Sequence, residues 1–186
     1  MLVFAQVDVT RPVFPYVLCQ DAQGASKRDA GGAGLVFCRP PQTEVLRAAL
    51  STEPGGRGRI VGPDMVALGC DHLAGLPPAS PWNEAWQATR WHVTLAIDWK
   101  FKDHIHLGEA RALNLWQEIA CRFPLMQGTR IVDLCDSQSA THAFAKGRSH
   151  AFALNQLLRK RASLEIVANV SRLVGWVSTK VQPAER

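Results

Sequence analysis

No two of the five cysteines form a C-x-x-C pair, and their number is odd. The odd count argues against a disulfide scaffold, and the spacing argues against a zinc finger. Cys70 and His72 are close enough in sequence to share a zinc ion, but no second ligand pair has finger spacing. Four of the cysteines sit in apolar stretches, which reads as buried, reduced thiols in an intracellular protein, nuclear or cytoplasmic. No apolar run approaches the roughly 20 residues that cross a bilayer, so no membrane association is expected. Met1–Val9 is apolar but has neither a basic n-region nor a cleavage pattern, and is not read as a signal peptide. Internal repeats, low-complexity blocks and polymerase motifs are also missing.

What is present is the material of a real core. Hydrophobic residues make up 47% of 186 positions, which suits a single domain over residues 1–186. The formal charge is +5, and it is unevenly placed. From His142 onward there are eight basic residues (Lys146, Arg148, Arg159, Lys160, Arg161, Arg172, Lys180, Arg186) against two acids, Glu165 and Glu185. That concentration has two readings, a nucleic-acid footprint and an ordinary solvated helix face.

Two apolar runs, 13–20 and 33–38, flank a polar, glycine-rich stretch and read as a β-hairpin. Residues 39–90 hold seven of the eleven prolines and read as an irregular insertion with one short helix over 43–51. Alternation from Trp91 to Phe101 predicts a strand with one core face. Leu113, Trp116, Ala120 and Phe123 recur at helical spacing and predict a helix over 107–123. A strand over 130–135 follows, then a helix over 137–146 stopped by Gly147. A helix capped by Ser149 runs to about Ala162, and a last strand covers 173–178. The pattern is α/β.

Three carboxylates fall at places where a shared site can form. Asp21 ends the first strand, Glu109 lies in the first turn of the long helix, and Asp136 ends the fourth strand. Parallel neighbouring first and fourth strands set Asp21 beside Asp136, with the helix laying Glu109 over both. Crowded carboxylates repel and call for a cation, and hard oxygen donors select Mg²⁺ or Mn²⁺. Each acid also has a plain reading: Asp21 as a turn residue, Glu109 as an acid favoured by the helix dipole, Asp136 as a cap.

Five segments carry a resemblance. His104-Ile105-His106-Leu107-Gly108-Glu109-Ala110-Arg111-Ala112 resembles the H-I-N-x-L-E-x-x-A segment of retroelement RNase H domains. Asp136-Ser137-Gln138 is similar to their D-S/N segment, and Lys146-Gly147-Arg148-Ser149 to their K-G-x-S turn. Gln182-Pro183-Ala184-Glu185 resembles N-P-A-D, and Asp21-Ala22 resembles the D-A-S opening. The likeness covers residues 13–38 and 91–186, and points to the RNase H region of DIRS-like retroelement polyproteins. It departs from the pattern at His106, Gly108, Gln182 and Glu185.

The resemblance implies an RNase H-like fold: a mixed five-stranded sheet of order 3-2-1-4-5, flanked by helices, with the insertion between strands 2 and 3. It implies two Mg²⁺ or Mn²⁺ ions held by Asp21, Glu109, Asp136 and Glu185. It also implies hydrolysis of the RNA strand of an RNA–DNA hybrid, with other parts of a polyprotein as partners. Lys146, Arg148, Ser149, Arg159, Lys160 and Arg161 are then the candidate nucleic-acid contacts. His142 and His150 are candidates for proton transfer, with ordinary surface histidines as the alternative. Trp82 and Trp86, inside the insertion, are candidates for base stacking. The competing reading is a decayed copy that keeps the fold as a nucleic-acid-binding or scaffold domain. A transposase or integrase of the same fold is a third, against which the K-G-x-S and P-A-E segments argue.

Overall fold

The computed structural model describes residues 10–27, 29–52, 89–100, 102–177, 179 and 182–185. Most of the expected insertion, with Cys70, His72, Trp82 and Trp86, lies outside them, as do Lys180 and Arg186.

The elements are β1 (Val13–Gln23), β2 (Gly32–Cys38), α1 (Gln42–Thr52), β3 (His92–Asp98), α2 (Ile105–Arg122), β4 (Arg130–Cys135), α3 (Gln138–Lys146), α4 (Phe152–Ala168) and β5 (Ser171–Trp176). Short 3₁₀ turns cover Pro124–Met126 and Pro183–Glu185. The five strands form one sheet in the order β3-β2-β1-β4-β5, as the resemblance implied. The β1–β2 and β2–β3 pairs are antiparallel, while β1–β4 and β4–β5 are parallel.

Alternation along the strands separates two apolar layers. Val17, Cys19, Val36, Cys38, Val132, Leu134 and Leu173 face α1 through Val45 and Ala48. Leu18, Ala22, Leu35 and Ile131 face α2 through Ala112, Trp116 and Ala120. A third cluster joins Ala110 and Leu113 of α2 to Ala140 and Phe144 of α3 and Leu158 of α4. Burying these side chains contributes about 1.5–3 kcal/mol for each large one, and this burial sets the sheet's register.

Several boundaries differ from the sequence pattern for identifiable reasons. β1 runs past Asp21 to Gln23, because the hairpin keeps pairing: Asp21 with Gly34, Ala22 with Ala33, Gln23 with Gly32. Its irregularity against β4 lies between Val13 and Val17, around Pro15, which has no N–H for a ladder. The single core face expected for residues 91–101 is broken. A register shift between Leu35 and Val36 leaves Leu95 and Ile97 over the α2 layer but Val93 73% exposed. α4 extends beyond Ala162 to Ala168, held by an Arg161–Glu165 ion pair and ended by Asn169 in the left-handed conformation. Its N-cap is Ala151, not Ser149; the Ser149 hydroxyl accepts from the Ala151 N–H at 3.2 Å.

Candidate metal centre

α2 begins earlier than the periodicity suggested. His104 is its N-cap, and its Nδ1 accepts from the His106 N–H at 3.4 Å. Glu109 therefore sits in the second turn rather than the first, so the helix dipole is not what places it there. Packing places it: Gly108 and Glu109 are on the buried face of α2, against β1. A Cβ at Gly108 would lie 3.4 Å from the Ala22 Cβ and 3.6 Å from the Trp99 Nε1. A leucine there would hold the helix off the strand, which accounts for a small residue at that point in the motif.

Glu109 is 5% exposed. Its carboxyl is pushed up to about 8, by burial first and then by the charges of Asp21 and Asp136, against a hydrogen bond from the Ala22 N–H. The charges of Asp21 and Asp136 thus both reach Glu109. Carboxylate oxygens of Glu109 and Asp136 and the Cys135 Sγ lie within 4.8 Å of one another. Asp21 is not in that close group; its charge still acts on Glu109, and the parallel β1–β4 register ends at Cys19–Leu134, two residues before Asp21 and Asp136. Asp136 is held from β5 and beyond. The Trp176 indole N–H donates to its carbonyl at 2.7 Å, and the Thr179 hydroxyl donates to its Oδ2 at 2.8 Å.

Cys135 is a neighbour that its place in the sequence does not reveal. Its Sγ is 3.9 Å from the Glu109 Oε2, and burial, with Glu109 beside it, pushes the thiol up to about 12. A sulfur is a soft donor that Mg²⁺ and Mn²⁺ do not favour, so for these ions the donors are the carboxylate oxygens. Hard oxygen donors around a surplus of negative charge fit Mg²⁺ or Mn²⁺. The backbone of Glu185 closes the 3₁₀ turn after Gln182, and that turn packs on β1 and β2.

The basic candidates divide. Lys146, Arg148 and Arg159 are exposed, as are His142 and His150. Lys160 is exposed but paired with Glu118 at 2.6 Å. Arg161 is engaged in the fold: it donates to Glu165, to the Phe144 carbonyl at 2.6 Å and to the Arg172 carbonyl at 3.2 Å, and its guanidinium stacks on Phe144. Arg172, counted in the basic C-terminal region, is buried in an ion pair with Asp133 and also donates to the Leu113 carbonyl. Ser149 is half-buried. His104 and His106 serve the helix start, and the His106 Nδ1 lies 3.1 Å from the Ser139 hydroxyl.

Sheet order, strand directions and helix placement define an RNase H-like α/β domain, with the acids at one end of the two central parallel strands. No protein-family profile and no curated protein matches the sequence. Solved structures do match it. One is the N-terminal RNase H domain of a Mycobacterium tuberculosis protein, solved as a fusion with maltose-binding protein. It shows 14% identity and a TM-score of 0.39, over 89% of this chain and 84% of that one. Another is the prototype foamy virus protease–reverse transcriptase, at 10% identity and a TM-score of 0.43. That match covers 92% of this chain but only 19% of the viral one.

Proposed function

We propose that this chain is a metal-dependent endonuclease that hydrolyses the RNA strand of RNA–DNA hybrids, as part of a retroelement polyprotein. The observation that carries the reading is the buried Glu109 carboxyl beside Asp136, raised by its burial and by the charges of Asp21 and Asp136. A carboxyl raised first by its burial and then by two nearby carboxylates is a site short of positive charge. Asp21, Glu109, Asp136 and Glu185 are the residues that would hold two Mg²⁺ or Mn²⁺ ions. Such ions neutralise charge at the scissile phosphate and acidify the attacking water.

The chain's own groups supply the rest. Thr179 and Trp176 fix Asp136 from two sides, so its free carboxylate oxygen keeps one direction. The Ala22 N–H does the same for Glu109. Lys146, Arg148 and Arg159 stand exposed to take phosphates, which sets position rather than sequence. The hybrid's 2′-hydroxyls mark the strand to be cut. His142 and His150, both exposed, are the candidates for proton transfer.

The test is cleavage of an end-labelled RNA–DNA hybrid with and without Mg²⁺. Mg²⁺-dependent shortening of the RNA strand, abolished in Asp136→Asn, is the expected result. Tight binding of the hybrid with no cleavage at any Mg²⁺ or Mn²⁺ concentration would replace this reading with that of a nucleic-acid-binding scaffold.

A further inference from the structure

The C-terminal turn is fastened to the centre of the sheet by one side chain. The β1–β4 ladder stops at Cys19–Leu134, which leaves the next carbonyls of both strands to find other partners. Two glutamine amides supply them. The Gln20 Nε2 donates to the Leu134 carbonyl at 2.9 Å, and the Gln182 Nε2 donates to the Gln20 carbonyl at 2.8 Å. The other end of the Gln182 carboxamide is also engaged: its Oε1 accepts from the Cys19 Sγ at 2.9 Å. Gln182 is 1% exposed, so these bonds are shielded from water.

The same segment is tied at further points. The Gln182 N–H donates to the Thr179 carbonyl at 3.2 Å, and the Thr179 hydroxyl holds Asp136. The Ala184 N–H donates to the Cys19 thiol. The turn lies close to Gly34, the cross-strand partner of Asp21: a Cβ there would be in ordinary contact with the Ala184 carbonyl oxygen, at 3.6 Å. The turn therefore lies beside the Asp21–Gly34 pair: Gln182 bonds to Cys19 and Gln20 and, through its N–H, to Thr179, whose hydroxyl holds Asp136.

We propose that Gln182 is a positioning residue: its carboxamide seats the Pro183–Glu185 turn at the open end of the β1–β4 pair, so that Glu185 can serve the acidic cluster. This rests on the metal reading of that cluster. A glutamine suits the task because one side chain must offer both a donor and an acceptor across adjacent backbone positions. Loss of either bond strands a buried polar group on β1.

The experiment uses the full chain in three forms: wild type, Gln182→Met and Glu185→Gln. Mn²⁺ uptake is followed by the loss of the free-ion electron paramagnetic resonance signal, and hydrogen exchange is read at residues 182–185. Gln182→Met should weaken the looser of two Mn²⁺ sites by about 10–100-fold, as loss of a supporting partner does, and should speed exchange in the turn. Glu185→Gln should show the same Mn²⁺ defect with the turn still protected. For cleavage, Gln182→Met should lower kcat with KM for the hybrid little changed, and added Mn²⁺ should restore part of the loss. Cys19→Ala removes only one of the two bonds and should shift both readouts in the same direction by less, which keeps the test open if Gln182→Met does not fold. Wild-type Mn²⁺ uptake that Gln182→Met or Cys19→Ala leaves unaltered would overturn this proposal alone. A wild-type chain that takes up no Mn²⁺ would overturn both this proposal and the metal reading.

Discussion

Glu109 is where sequence, burial and charge meet. Its ordinary value of 4.5 is raised to about 8 in the folded chain, so the fold favours its protonated form. A group raised in this way contributes its full stability below about 4.5 and loses it as the pH rises through about 8. Without divalent ions, the Tm of the wild-type chain should therefore fall between about pH 5 and 8 relative to that of Glu109→Gln. Mn²⁺ should raise the wild-type Tm most at the alkaline end, where the carboxylate is free to bind. Thermal melts of both proteins across that range, with and without Mn²⁺, would show it. Parallel melting curves for the two proteins at all pH values would mean that Glu109 is not under strain. Gly108 invites a second substitution. Alanine meets only ordinary van der Waals distances there and gains helix propensity of about 0.8–1.0 kcal/mol. Gly108→Ala should therefore be neutral or mildly stabilising, while Gly108→Leu should cost about 1–3 kcal/mol through overpacking. Gly108→Leu should also lose Mn²⁺ binding. Urea unfolding of the two variants separates these outcomes.

The junction of β4, β5 and α2 is held by a charge pair rather than by apolar packing alone. Asp133 is 0% exposed and Arg172 is 5% exposed, and the guanidinium also donates to the Leu113 carbonyl on α2. Burial lowers the Arg172 guanidinium to about 9. Removing one partner leaves the other charged and without its counter-ion, at a cost of about 3–5 kcal/mol. Asp133→Leu or Arg172→Met alone should thus destabilise the domain severely. The double variant should recover most of the loss, which denaturant titration of all three would measure. On the neighbouring helix, Arg161 and Arg159 should behave differently although both belong to one turn of α4. Arg161→Ala removes bonds to Phe144, Glu165 and Arg172 and should lower the Tm. Arg159 is exposed, and the Ser163 hydroxyl bonds only to its backbone carbonyl. Arg159→Ala should leave the Tm unchanged and weaken hybrid binding instead.

For the molecule as a whole, the charge of the C-terminal region resolves into cations built into the fold and cations open to a ligand. Lys146 and Arg148 lie at and just beyond the end of α3, whose first residues adjoin Asp136, so a polyanion reaching the acidic cluster can also reach them. Replacing both with alanine should weaken hybrid binding uniformly across sequences. It should also reduce the slope of log affinity against log salt by about 0.9 for each duplex phosphate that is no longer neutralised. Fluorescence anisotropy at several salt concentrations would measure this, and an unchanged slope would remove these residues from the interface. At the opposite end, Phe123, Leu125, Ile166 and Val167 are exposed near the close of α2 and α4.

Local pattern carries much of the architecture. Period-two and helical spacing, the stop at Gly147 and the place of Asp136 just after β4 are legible in residues 13–38 and 91–176, because burial imposes such patterns on any chain that folds this way. The segments around Glu109 and Asp136-Ser137 point to the cluster by their resemblance to a known family. Other features are not local. Asp21 lies inside β1 because β2 keeps pairing with it, and the face of residues 91–99 is split by a register shift against β2. Arg161 and Arg172 look like surface charge in sequence, and become structural only when Phe144 and Asp133 are brought to them. The raised Glu109 and the two-way grip of Gln182 on Cys19 and Gln20 join residues up to 163 positions apart. Such bonds follow from how the strands and helices stack, and leave no periodic trace along the chain.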